Sequence, residues 1–302
     1  MINYIVAAIV TLVPALGVSF GQGKAASSAL LAITIQPALK KEINRAMLLG
    51  LALIETAALL GLLISVIIIK NYNFSIISAI SIILLSFLNF LFGFKSTEPV
   101  VESCLAIARQ PFLQSNIIKM MLLSISFLLT PVIFSFVISL IIKYQSINNL
   151  SQDLKLLAAA ISLTLGSIGS IISMAKLNSN VCYMMGYNRR SFKKLFRFAL
   201  ISQAMIETPI LLSLIVSLII ISINSASIAN GIMIVAAGLC TGICCLVSGL
   251  ESGKIAAQGA IEIGKNPNLS PQISNTSMLS QCLLDAFAVY GLIISILMLI
   301  KQ

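Results

Sequence analysis

Long apolar runs separated by short polar interruptions fill this chain from end to end. On hydropathy the runs fall at roughly 3–38, 43–70, 75–110, 115–143, 152–187, 193–223, 226–263 and 273–301, each long enough to cross the ~30 Å hydrocarbon core of a bilayer as a helix. The pattern predicts an all-α integral membrane protein of eight helices, with no room for a soluble domain. The interruptions alternate in character. Those at 37–45, 109–119, 189–197 and 265–275 hold most of the free Lys and Arg, while those at 70–73, 143–153 and 222–227 hold little. The bias of basic residues toward cytoplasmic loops therefore puts the first set inside the cell and both termini outside, and points to a bacterial inner membrane.

A second periodicity lies over the first. Pro37, Pro111, Arg189 and Pro267 stand in the four basic loops, and eighteen residues after each, inside the following helix, stand Glu55, Leu129, Glu207 and Asp285. The steps along that helix column are 74, 78 and 78 residues, and three of its four residues are acidic. A carboxylate in mid-span is costly, so its default reading is an ion or proton site. Neighbouring columns keep the register: Gln22-Gly23-Lys24 falls on Ser252-Gly253-Lys254, with Lys176 in the lysine column, and Ile54-Glu55-Thr56 falls on Ile206-Glu207-Thr208. The repeat is one helical hairpin. Its predicted copies are 1–73 with Glu55, 74–150 with the site lost at Leu129, 151–225 with Glu207, and 226–302 with Asp285.

Composition narrows the class without changing the layout. With 59% hydrophobic residues, 9% charged residues and a mean hydropathy of +1.06, the chain could not keep a soluble surface wetted. The first eighteen residues lack a basic leader and a small-residue cleavage site, so they are expected to remain as the first helix. The Cys240-x3-Cys244-Cys245 cluster has no His and no polar neighbours, and is read as apolar packing rather than a metal site. No phosphate-binding glycine loop is present, so nucleotide chemistry is expected on another chain. Neither a cofactor nor a nucleic-acid partner is expected.

The odd-numbered helices carry small residues at four-residue spacing: Gly17-x3-Gly21, Gly166-x3-Ser170, Gly238-x3-Gly242 and Gly249-x3-Gly253. Such stripes let backbones approach closely in lipid. The second hairpin departs from this, with Phe and Leu over 87–95. Glu98 and Glu251, three residues from Lys95 and Lys254, are read as structural pairs. The clusters Lys40-Lys41 and Arg189-Arg190 with Lys193, Lys194 and Arg197 are candidates for anionic lipid or an acidic partner surface.

Ala108-Arg109-Gln110-Pro111, the Gln36-Pro37 loop, Gly21-Gln22-Gly23 and Ala286-x3-Tyr290-Gly291-Leu292 after Asp285 together resemble the proteolipid, or c subunit, of F-type rotary ATP synthases and their V-type relatives. The resemblance covers the chain four times over, where an ordinary member of that family is one hairpin. It implies a rotor ring of copies of this chain, with each carboxylate exchanging an ion through half-channels of a stator a subunit that bears a membrane Arg. It further implies docking of the polar loops on the central stalk of a separate catalytic head. The residues this assigns to the stalk are Gln36, Pro37, Arg109, Gln110, Pro111, Arg189, Arg190, Asn266 and Pro267; the third loop lacks the family's Gln-Pro.

Desolvation at mid-bilayer disfavours the anion, so these carboxyls are expected protonated at neutral pH. Protons are the expected cargo. Sodium stays open, because Gln22 and Thr56 beside Glu55 resemble an oxygen ligand set that the other hairpins do not repeat. Two other classes also stay open: an ion-coupled secondary transporter with internal repeats, and a fused paralogue that only pads a rotor beside a single-hairpin proteolipid.

Overall fold

The computed structural model describes residues 2–70, 75–145, 150–223 and 227–301. The helices are α1 Ile2–Ile35, α2 Lys40–Ile69, α3 Ile76–Lys95, α4 Thr97–Arg109, α5 Gln114–Gln145, α6 Leu150–Tyr187, α7 Phe192–Ser222, α8 Ile228–Lys265 and α9 Ser270–Ile300. With α3 and α4 as two parts of one span, eight apolar spans of 33 to 38 residues result. Four tandem hairpins account for all of them. The predicted hairpin boundaries at 73/74 and 225/226 lie outside the described residues, and the one at 150/151 falls at the first turn of α6.

The third span corrects one expectation, since 75–110 is read from hydropathy as one helix. It divides at Ser96 instead. Pro99 has no N–H to give the Lys95 carbonyl four residues earlier, and the chain turns there after a last helical bond from Ser96 N to Phe92 O of 2.8 Å.

Two layers follow from the sequence texture. The inner layer is α1, α3/α4, α6 and α8 in chain order, and the outer layer is α2, α5, α7 and α9. α2, α5 and α7 each pack on their own inner helix and on the inner helix of the next hairpin, α7, for example, against α6 and α8, while α9 packs on α8 and α7. Glycines set the inner spacing. A Cβ at Gly238 would stand 2.6 Å from Ala158 O, and one at Gly93 2.7 Å from Val18 N, distances that no side chain tolerates. Cys244 of the cysteine cluster packs against Gly291 of α9 in the same way.

All four polar loops adopt one turn. Short 3-10 segments at Pro37–Leu39, Pro111–Leu113, Arg189–Ser191 and Pro267–Leu269 follow Gln36, Gln110, Asn188 and Asn266, each with φ between −123° and −138°. The third loop reaches this shape without proline because Asn188 holds it. Its side chain accepts from Arg190 N at 3.1 Å and donates to Gly264 O at 2.9 Å. Arg109 stacks on Tyr183, Arg189 stacks on Phe112, and Lys194 Nζ donates to Pro267 O at 2.7 Å, which ties neighbouring loops into one rim. At the opposite end Lys155 Nζ caps α7 through the carbonyls of Ile221 and Ile223, both at 3.0 Å.

Candidate functional site

The fourth hairpin shows the most complete carboxyl environment. Asp285 sits half-buried on α9, and Ser248 of α8 donates to its Oδ1 at 3.2 Å. Thr208 Oγ1, from the preceding outer helix α7, stands 2.8 Å from Asp285 Oδ2 and 2.8 Å from the Met205 carbonyl. That carbonyl needs a donor, because residue 209 is proline and brings no N–H to it. A hydroxyl has one hydrogen and cannot serve two acceptors fully. With that hydrogen on Met205, the set closes when Oδ2 carries a proton and donates it to Thr208. The geometry suits a neutral carboxyl.

One turn toward the polar loops lies a buried amide layer. Gln281 Nε2 donates to Ser277 at 3.0 Å, Ser252 reaches Gln281 Oε1 at 3.5 Å, and Gln203 bonds Asn178 between α7 and α6. Neither glutamine belongs to the set expected from the sequence. Each stands four residues before an acid, Gln281 before Asp285 and Gln203 before Glu207, and that spacing on one helix face is the signal that could have found them.

Glu207 is half-buried on α7 and opens on a cleft of about 250 Å³ that Ser126, Phe127 and Thr130 of α5 line with it. Glu55 is exposed on α2. At the position that Ser248 holds in the fourth hairpin, the others have buried Val18, Phe92 and Ser170. Leu129 therefore shares its hairpin with a phenylalanine where Asp285 has a serine. The site in the second hairpin has lost its hydroxyl as well as its acid.

One expected grouping fails to form. Gln22, Thr56 and Glu55 share no hydrogen bond, and Thr56 Oγ1 donates to the Leu53 carbonyl at 2.7 Å. Successive residues on a helix do not face each other, so the hydroxyl after an acid can turn toward the next hairpin, as Thr208 after Glu207 does toward Asp285; Asp285 itself is followed by Ala286. The two inner-layer ion pairs form as read, Lys95–Glu98 at 2.6 Å and Lys254–Glu251 at 2.5 Å. Among the loop residues, Pro37, Arg109, Arg189, Arg190 and Asn266 are exposed, while Gln36, Gln110, Pro111 and Pro267 are half-buried in the turns.

Comparison with known proteins adds two findings. The family model for the C subunit of ATP synthase matches residues 5–68, 157–220 and 235–298, more than half of the chain, and these segments contain Glu55, Glu207 and Asp285 in the same register. The ATP synthase c subunit of Enterococcus hirae is 33% identical over 67 residues, which cover 22% of this chain and 94% of that protein.

Proposed function

The chain belongs to the C-subunit family of ATP synthases and is a multi-pass, non-catalytic rotor-ring proteolipid of a rotary ATP synthase; from that premise we propose that it carries protons at Glu55, Glu207 and Asp285, one per acid-bearing hairpin, while the ring turns. The observation that supports this reading is the Asp285 cluster, in which Ser248 reaches one carboxyl oxygen and Thr208, whose single hydrogen the Met205 carbonyl also claims, reaches the other, a set that a protonated carboxyl would complete. A neutral acid passes through lipid at little cost. An ionised one costs about 2.5–3.5 kcal/mol or more at the bilayer centre and needs a cation opposite it, which a stator Arg would supply. Proton loss on one side of that Arg and gain on the other biases rotation in one direction. The loops would face the cytoplasm and the central stalk, offering Arg109, Arg189 and Arg190 as its contacts together with the Gln36-Pro37, Gln110-Pro111 and Asn266-Pro267 turns. Sodium is the weaker reading, because the three acids have different oxygen neighbours and Gln22 and Thr56 do not join Glu55.

The reading is tested with a hydrophobic carbodiimide, which reacts with protonated carboxyls in apolar surroundings. Label is expected on Glu55, Glu207 and Asp285, with loss of ATP-driven pumping in the assembled complex and no label on Glu42. Peptide mapping that placed the label chiefly on Glu98 or Glu251 would overturn the site assignment. Protection by added sodium would overturn the choice of ion.

A further inference from the structure

We propose that the open face of the fourth hairpin is the seat of α1 of a second copy of this chain, held in the register that the third hairpin gives to α8. Family membership supplies the ring, and the proton reading above is not needed. Between α8 and α9 lies a cavity of about 460 Å³ with Gln258, Glu262, Gln272, Ile273 and Thr276 in its wall. One repeat earlier, 78 residues back, the same places hold Asn180, Met184, Lys194, Leu195 and Phe198. That earlier face is closed by α8. Met184, Leu195 and Phe198 are buried, and a Cβ on Gly264 or Gly259 would stand 2.6 Å from Met184 Sδ or 2.7 Å from the Phe198 ring. Asn180 and Asn188 donate to the carbonyls of Ala257 and Gly264 at 3.2 and 2.9 Å, and Lys194 to that of Pro267 at 2.7 Å. The fourth hairpin has no hairpin after it, and its Gln258, Asn266, Gln272 and Thr276 are exposed.

The opposite end of the chain carries the matching half. Counting 230 residues back from α8 puts Phe20, Gly23, Ser27 and Thr34 of α1 in the places of Leu250, Gly253, Ala257 and Gly264, and all four are exposed along one stripe of the helix. With α1 of a second copy seated there, Gln258, Asn266 and Gln272 donate to the carbonyls of its Ser27, Thr34 and Pro37, as Asn180, Asn188 and Lys194 do one repeat earlier. The Asn266 side chain makes no capping bond of its own, and the Gln258 amide, bonded to Glu262 at 2.9 Å through one N–H, has a second to give. Phe20 supplies an aromatic complement. Lys24 lies 4.0 Å above the Phe94 ring of the next hairpin, and the same two columns put Lys254 over Phe20 of the second copy. Polarity changes on both sides together, for Met184 on Gly264 within the chain becomes Glu262 beside Thr34 between copies. That paired exchange fits the groove to this chain rather than to an unrelated helix.

The test is oxidative cross-linking, in the membrane, of the full chain carrying Gln258→Cys and Ser27→Cys, with Cys282→Ser to remove the exposed native thiol. Asn180→Cys with Ala257→Cys reports the same geometry inside one chain and should close without joining chains. The Gln258/Ser27 pair is expected to give a ladder of covalent multimers, and co-expressed chains with one of the two cysteines each should stop at dimers. Gln258→Cys with Thr34→Cys, a shift of about 10 Å along α1, should give far less product. Absence of the ladder where the Asn180/Ala257 pair closes overturns the proposal, as does an equal yield from the shifted pair. Cross-linking of Gln258→Cys to a smaller proteolipid instead of a second copy gives the face to another occupant and overturns it too. Phe20→Leu, with no cysteine added, checks the aromatic contact: rings should dissociate to single chains about threefold more readily in detergent, while thermal unfolding of the single chain stays unchanged. Rings as stable as the parent would contradict the register that sets Lys254 over Phe20.

Discussion

Gly23 and Gly253 hold the same place in the first and fourth hairpins and have opposite surroundings. A Cβ on Gly253 would collide with Ser173 of α6, whereas one on Gly23 would meet nothing within 4 Å. The difference is one of position in the chain, since α8 has an inner helix before it and α1 has none. In a ring of copies of this chain, the face that carries Gly23 would be covered by α8 of a second copy, as α8 here is met by α6. Gly23→Leu is therefore expected to leave the chain inserted with its internal packing intact, while ring yield after mild detergent extraction falls steeply. Inserting a side chain into a close-packed contact costs about 1–3 kcal/mol, and every junction between copies would bear it. Gly253→Leu should instead destabilise the single chain, visible as proteolysis within the membrane fraction. Rings of normal yield and size from Gly23→Leu would show that copies do not meet on this face.

The four loop turns separate shape from sequence at the scale of the element. Three of them use proline to fix φ, and the third uses the two hydrogen bonds of the Asn188 side chain. Asn188→Ala should lower the stability of the isolated ring by about 1–2 kcal/mol, read as a shift in its thermal dissociation, and Arg189→Pro added to it should recover most of the loss. Gln110→Ala, beside a proline turn and with no side-chain cap of its own, should change little; a loss equal to that of Asn188→Ala would refute the division of labour. The eight spans are legible in the sequence because apolar runs and basic interruptions carry them directly, and the acid column because mid-span carboxyls have few other uses. The break at Ser96 is not legible, since Pro14, Pro131 and Pro209 lie inside unbroken helices and proline alone does not mark a break. The partners of each acid escape a sequence reading for a geometric reason. Thr56 is next to Glu55 in sequence, yet a one-residue step on a helix turns the hydroxyl toward the following hairpin.

For the whole molecule, the ratio of hairpins to acids sets the gearing. A ring made only of this chain has four hairpins and three carboxyls per copy, so one turn carries about a quarter fewer ions than a ring of the same size with every site filled. Each ion moved contributes about 2.3 kcal/mol per 100 mV, and fewer ions per turn means less drive for synthesis at a given voltage but a steeper gradient sustained per ATP hydrolysed. Such a ring would favour ATP-driven pumping. If a stator Arg faces the ring as proposed, Leu129 would offer it no partner as the second hairpin passes, and the acids on either side would have to bridge the gap. Leu129→Glu tests this arithmetic. The introduced carboxyl would share its hairpin with Phe92 where Asp285 has Ser248, but Glu55 faces the same shortage with Val18. The expected outcome is an ion-to-ATP ratio raised by about a third in reconstituted vesicles, with a fourth carbodiimide-labelled peptide. An unchanged ratio in an assembled, active ring in which that peptide is labelled would show that protons held at the second hairpin are never exchanged with the stator, and that its loss reaches beyond the carboxyl.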